Sequence, residues 1–317
     1  MNIRLKAINT IFFVVFGMVL LYISFKGINL SLFIETIKNS PIHWIIVSMF
    51  FGYLAYFFRA LRWLLLIKSA NYSTNSAQLV HSIAFGYLCN TFIPRSGEVF
   101  RCTALNKVTK IPVSILFGHV ILERLIDVVI LLLCILVSLI LNYNSILLFS
   151  KTFHLPSNLI VFGCGFVLLI YVIFLNKKNI FSEVNLTKIE GFIKGIKNGF
   201  RSIKNVEKKL HFIIYTILIW LCYLLMTMVC FWCFSETLNF SFSEGLFVLV
   251  AGGLGMMVPT PSGIGSYHYL VIAALGVLGV NQITSQYFAI TMHGAQSIMV
   301  LLSGIIGMVS LYFTANE

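Results

Sequence analysis

A chain of 317 residues that is 59% hydrophobic and only 10% charged has too little polar surface to coat a water-soluble globule. Its 22 Lys and Arg against 10 Asp and Glu leave a formal charge of +12, but long, nearly uncharged apolar stretches exclude the nucleic-acid reading that such a balance carries in a soluble protein. Those stretches are continuous rather than alternating, which excludes a β-barrel, so the sequence predicts an all-α polytopic membrane protein.

In chain order, apolar segments near 8–25, 43–67, 112–141, 157–175, 211–234 and 286–313 are each close to the roughly 20 residues a bilayer requires. The first follows Arg4 and Lys6 as a signal peptide would, but no small-residue cleavage site follows it, and it reads as a retained helix. Two further runs, 79–93 and 245–258, are shorter and stop at Pro94-Arg95-Ser96-Gly97 and Pro259-Thr260-Pro261-Ser262-Gly263. Each is followed by a second short segment, 98–108 and 265–280. Short and broken at proline, these pairs are expected to form two re-entrant hairpins beside six full spans.

Lys and Arg near span ends stay on the cytoplasmic side. Across 176–210, Lys177, Lys178, Lys188, Lys194, Lys197, Arg201, Lys204, Lys208 and Lys209 face only Glu183, Glu190 and Glu207, so this loop and both termini are expected in the cytoplasm. Within it Ile189, Phe192, Ile193, Ile196, Phe200 and Ile203 share one helical face, a pattern that predicts an amphipathic helix along the anionic inner leaflet. A regulatory or partner-binding helix is the alternative.

Ser96-Gly97 and Ser262-Gly263 lie 166 positions apart, each beyond a proline that ends a short apolar run. With the orientation above, 43–141 and 211–313 become inverted halves of one integral membrane domain, joined through the helix 157–175 and the basic loop. Paired broken helices in inverted halves present helix ends and unpaired backbone groups to a cavity, as transporters do. The competing reading is that Pro and Gly merely kink ordinary spans.

Charge gathers beside the first break, at Arg95, Glu98 and Arg101, and again at Glu123, Arg124 and Asp127 inside an apolar span. Ionised groups in lipid cost a few kcal/mol each, so these side chains are expected to face protein or water. Glu123 and Asp127, four residues apart, share a helix face and are placed to pair with Arg95 or Arg101. Two readings stand: a structural salt-bridge network, or a polar cavity whose arginines take a phosphate and whose carboxylates take an amine or a proton. Arg59 and Arg62, near the inner end of 43–67, are expected to snorkel to headgroups. The second half supplies His268, then His293 and Gln296 in the last span, as helix contacts or proton carriers.

Cys89, Cys134, Cys164, Cys222, Cys230 and Cys233 sit in apolar runs and read as small hydrophobes. Cys230 and Cys233 form a C-x-x-C pair without a second ligand pair, so neither metal nor cofactor is expected. With no nucleophile beside a base, no P-loop and no H-E-x-x-H, neither catalysis nor ATP-driven work is expected of this chain.

Three motifs follow one another along the chain: Asn90-Thr91-Phe92-Ile93-Pro94-Arg95-Ser96-Gly97-Glu98 with Arg101, then Glu123-Arg124-Leu125-Ile126-Asp127, then Pro259-Thr260-Pro261-Ser262-Gly263-Ile264-Gly265. In this order and spacing, over nearly the whole chain, the sequence resembles the transmembrane domain of the lysylphosphatidylglycerol synthase family, the flippase half of the multiple peptide resistance factor proteins. The resemblance implies a bacterial or archaeal inner-membrane protein that moves a phospholipid or polyprenyl-linked lipid between leaflets. Its cavity would be lined by the residues of these motifs together with His268, His293 and Gln296. Full-length resistance factors carry a soluble aminoacyl-transfer domain after the membrane part, whereas this chain ends at Glu317, so aminoacyl-lipid synthesis is not expected. Ser262-Gly263 and His268 stand where many relatives carry Gly-Gly and then glutamate, a departure that bears on headgroup and coupling chemistry. The alternative is a membrane enzyme, or an accessory subunit, acting on a lipid-linked substrate in envelope synthesis. Membrane lipid and anionic inner-leaflet lipid are the expected partners, nucleic acid is not, and a homo-oligomer is left open.

Overall fold

The computed structural model describes residues 15–26, 30–39, 41–144 and 186–316. Its α-helices are α1 (Val15–Phe25), α2 (Leu30–Asn39), α3 (Ile42–Ser69), α4 (Ser76–Phe92), α5 (Gly97–Thr109), α6 (Val113–Leu141), α7 (Leu186–Arg201), α8 (Lys209–Phe231), α9 (Phe242–Met257), α10 (Ser266–Val277) and α11 (Gln282–Asn316). Among the described residues, four helices are long and apolar enough to cross a membrane: α3, α6, α8 and α11. They coincide with four of the six expected spans. Of the span 8–25 only α1 is described, as a shorter apolar helix, and 157–175 lies outside the described residues. The two short runs form the pairs α4–α5 and α9–α10.

Local chemistry sets these boundaries. The Asn75 side chain caps α4 by accepting from Gln78 N at 2.8 Å, and α9 opens on a capping box between Ser241 and Glu244. α3 is followed by Asn71 (φ 62) and α5 by Lys110 (φ 60), left-handed residues that end a helix. Proline precedes α3 at Pro41 and α6 at Pro112, where a missing N–H costs nothing.

Both short-helix pairs close on the same turn. Ser96 N donates to Ile93 O across Pro94 and Arg95 (φ 59), and Gly263 N donates to Thr260 O across Pro261 and Ser262 (φ 50), each at 3.2 Å. Proline presets the second turn position and a left-handed residue fills the third. Arg95 therefore corresponds to Ser262, 167 positions on, which corrects the expected match of Ser96 with Ser262 by one residue. The proline, not the Ser-Gly identity, sets the register of the turn.

α3 and α8 pack antiparallel along their length. Trp44 meets Trp232 with ring centroids 4.4 Å apart, Ser48 Oγ donates to Met226 O at 3.0 Å, and further along Arg62 Nη1 donates to Thr216 Oγ1 at 3.4 Å. α4 packs on α11, where Gly304 and Gly307 admit Leu88 and His81. In the same way α9 packs on α6, with Gly253 against Leu131 and Asn142 Nδ2 donating to Ser243 O at 3.1 Å. Each short-helix pair thus leans on a long helix from the other part of the chain.

Two apolar cores result, one around Trp63, Leu66, Ile83, Leu105 and Leu116, the other around Phe231, Val271, Leu275 and Phe288. Cys230 and Cys233 are buried in the second as small hydrophobes. Val129, Leu132, Leu136 and Ile140 leave one face of α6 exposed and apolar, as a lipid-facing surface requires.

Candidate functional site

Arginines three apart on α3 and carboxylates four apart on α6 fall on helix faces that meet. Arg59 Nη2 lies 2.8 Å from Asp127 Oδ2, and Arg62 Nη2 lies 3.1 Å from Asp127 Oδ1, so one carboxylate is shared by two guanidiniums. From α5, Arg101 Nη2 reaches Glu123 Oε2 at 2.6 Å, and Arg62 Nε stands 3.8 Å from Glu123 Oε1. Arg124 completes the layer, with Nε 3.5 Å from Glu98 Oε1 and Nη1 3.8 Å from Asp127 Oδ2. The layer is graded: the Arg62 and Glu123 side chains are fully buried, whereas that of Arg124 is 41% exposed.

Arg59 and Arg62 correct the snorkelling expectation. α3 continues to Ser69 and its exposed end is taken by Lys68, so both arginines lie inside the bundle facing α6. A signal was present in the sequence, two arginines one turn apart with the apolar run Trp63-Leu64-Leu65-Leu66-Ile67 still to follow before Lys68. Arg101 pairs with Glu123 as expected. Among the described residues Arg95 pairs with no carboxylate; it sits exposed at the tip of the first pair and its Nη2 donates to Met257 O at 2.6 Å. The reason is geometric, since the turn carries Arg95 past the helix ends to the second pair, where α9 offers its last carbonyl.

Four guanidiniums meet three carboxylates in this layer. Arg59 Nη1, Trp63 Nε1, and Nε of Arg62, Arg101 and Arg124 are buried donors without a hydrogen-bond partner among the described residues, against the acceptors Glu98 Oε2 and Glu123 Oε1. Surplus donors and one surplus positive charge suit an anion that can accept several bonds at once. Aromatic side chains frame the layer. Arg59 Nε donates to Tyr223 Oη at 2.8 Å, Tyr56 stacks on Tyr87 with centroids 4.6 Å apart, and the Arg101 guanidinium lies 4.6 Å over the Trp63 ring. Sequence reasoning missed these aromatics, because in an apolar helix nothing distinguishes a cavity tyrosine from a packing one.

A second group forms at the tips. Asn90 Oδ1 accepts from Gly97 N at 2.6 Å, and Ser96 Oγ donates to Ile93 O at 2.8 Å, which ties α4 to the start of α5. In the other pair Ser266 Oγ lies 2.8 Å from Gly255 O and 2.9 Å from Thr260 Oγ1. The turn carries Pro259 and Pro261 with positive φ at Ser262, Gly263 (76°) and Gly265 (84°). A side chain at Gly265 would meet the Gly17 carbonyl of α1. His268 and His293 are buried with ring centroids 4.6 Å apart; Nδ1 of His268 accepts from Gly265 N at 3.3 Å, and Nε2 of His293 donates to Ser262 O at 2.9 Å. Both rings thereby hold the turn, and Gln296 lies half-buried further along α11. The sequence-predicted residues therefore divide into a charged layer and a tip group, with Arg95 joining the two short-helix pairs.

The family model described as the lysylphosphatidylglycerol synthase TM region matches residues 10–304. A UPF0104 membrane protein of Methanocaldococcus jannaschii is 26% identical over 135 residues, which are 42% of this chain and 40% of that protein. The chain thus aligns with less than half the length of that relative. No solved structure matches the chain. Four apolar helices of membrane-crossing length and a family match over most of the sequence lead to one conclusion: the chain belongs to the family of membrane proteins defined by the lysylphosphatidylglycerol synthase transmembrane region.

Proposed function

We propose that this protein is a flippase-like transporter that moves a phosphate-bearing lipid between membrane leaflets without changing it chemically. The observation that carries the reading is the charged layer, four guanidiniums against three carboxylates inside an apolar bundle. Charges in such a place cost several kcal/mol each, and a purely structural role is served as well by apolar packing. The phosphate enters at the half-exposed Arg124 and is passed to the unfilled donors of Arg59, Arg62 and Arg101. Its acyl or prenyl chains stay in the bilayer against the apolar face of α6.

In this reading α4–α5 and α9–α10 are re-entrant hairpins, and 43–141 and 211–313 are inverted halves. The exchange of packing partners, α4 on α11 and α9 on α6, supports it. Alternating access then comes from rocking the halves about the antiparallel α3–α8 pair. The protein resides in the cell membrane of a bacterium or archaeon, with both termini and the basic loop cytoplasmic.

Purified protein in proteoliposomes tests the function. Fluorescent phosphatidylglycerol in the inner leaflet should become accessible to external dithionite faster than in protein-free vesicles, and Arg124→Gln should slow it severalfold. No acceleration by the wild-type protein would refute transport. A lipid product of altered mass would favour a membrane enzyme instead.

A further inference from the structure

α7 and the residues that follow it carry an exposed cationic surface that the site does not use. Lys194, Lys197, Arg201, Lys204, Lys208 and Lys209 are all exposed, with Glu207 the one exposed acid between Lys194 and Lys209, and none of the six forms a salt bridge among the described residues. At about 100° per residue, Lys194, Lys197 and Arg201 fall within one narrow sector of α7, and Ile193 and Phe200, both exposed, fall together in the sector beside it. The opposite side is clamped to the start of α6. Gly195 faces Ser114, and Gly199 lies against Gly118 so closely that an added Cβ would stand 3.1 Å from the Gly118 Cα. The clamp is at one end of a helix of membrane-crossing length, which puts the cations and the two apolar side chains at the membrane surface.

We propose that α7 binds the anionic leaflet on which it lies and passes that leaflet's charge state to α6, the helix that carries Glu123 and Asp127. Lysines and Arg201 take lipid phosphates, Ile193 and Phe200 enter the acyl boundary, and the glycine seam transmits any shift of α7 to Gly118, five residues before Glu123. An acidic soluble protein would pair the cations but leave Ile193 and Phe200 in water, which is why a lipid surface is the occupant. The regulatory half of the inference rests on the transport reading; the binding half does not.

Hydrogen exchange of the full chain in nanodiscs reads the binding half. Amides of α7 should exchange about tenfold more slowly in phosphatidylcholine containing phosphatidylglycerol than in phosphatidylcholine alone. A variant with Lys194, Lys197, Arg201 and Lys204 all replaced by Gln, positions free of packing roles, should show no difference. Equal wild-type exchange in both lipids would overturn the proposal, as would equal protection by soluble heparin in phosphatidylcholine discs. In proteoliposomes, wild-type transfer of a fluorescent lipid should be severalfold faster with phosphatidylglycerol, and the fourfold Gln variant should keep the slower rate in both. Lipid-dependent protection of α7 with an unchanged transfer rate would overturn the coupling to α6. Absence of wild-type transfer in either lipid would instead defeat the transport reading and leave the exchange result standing.

Discussion

Arg95 and Met257, 162 residues apart in sequence, join the tips of the two short-helix pairs through a 2.6 Å bond from the guanidinium to a main-chain carbonyl. Met257 ends α9, where the last carbonyls have no helical N–H to accept from and the helix dipole favours a cation. Arg95 reaches it from a left-handed backbone, φ 59, that costs a non-glycine residue roughly 1–2 kcal/mol. Strained residues therefore sit at both tight turns, Arg95 in the first and Ser262 in the second.

Arg95→Gly separates these effects. Glycine accepts the turn without strain, so the thermal midpoint in detergent should hold or rise, while the tie to Met257 is lost. Cysteines placed at Ser96 and Ser262, in a background without the native seven, should then bridge more slowly with a short bifunctional reagent than in the Arg95 parent. Equal bridging rates would show that the tie does not hold the tips together.

Asp127 balances two buried arginines. Asp127→Asn should therefore destabilise the protein by about 3–5 kcal/mol, because Arg59 and Arg62 are left without a full counter-charge. Arg59→Met combined with Asp127→Leu should recover only part of the thermal midpoint, because Arg62 then keeps only Glu123 at 3.8 Å, and should still fail to transfer lipid. Transfer by that double variant at the wild-type rate would reduce the layer to a structural ion-pair network.

Glycines on α11 differ in what surrounds them. Among the described residues nothing lies within 4 Å of a Cβ added at Gly294, whereas at Gly304 that atom would stand 2.5 Å from the Leu88 Cβ. Gly294→Ala should raise stability by about 0.5–1 kcal/mol through helix propensity, and Gly304→Ala should lower it by prising α11 from α4. Denaturation midpoints in one detergent check both signs.

Single cysteines read the topology. Residues 71, 110 and 194 should label from one face of sealed vesicles, and residues 236 and 279 from the other. Labelling of 71 and 110 from opposite faces would mean that α4 and α5 together cross the bilayer, and the inverted halves would no longer hold.

Local rules are sufficient for much of this protein. Apolar run length alone marks α3, α6, α8 and α11, and proline at 94 and 259 stops α4 and α9 within a residue or two of the observed ends. α2 escapes such a reading because its ten residues are too few and too mixed for a spanning pattern. The charged residues of α5 and α6 were legible as a cluster, and Arg101 with Glu123 as a pair. The partners of Arg59 and Arg62 were not: Asp127 is 68 and 65 residues away, and Tyr223 is 164 residues from Arg59. Hydropathy reports how apolar a segment is and not what each of its faces touches, and in a bilayer the lipid-facing and protein-facing sides of a helix are equally apolar. The sequence by itself determined the class, the four long apolar helices and the breaks at proline, because these follow from the transfer of side chains and backbone into lipid. The tertiary structure decided which charges share a layer and which turn residues meet, because close packing across the bundle selects those contacts.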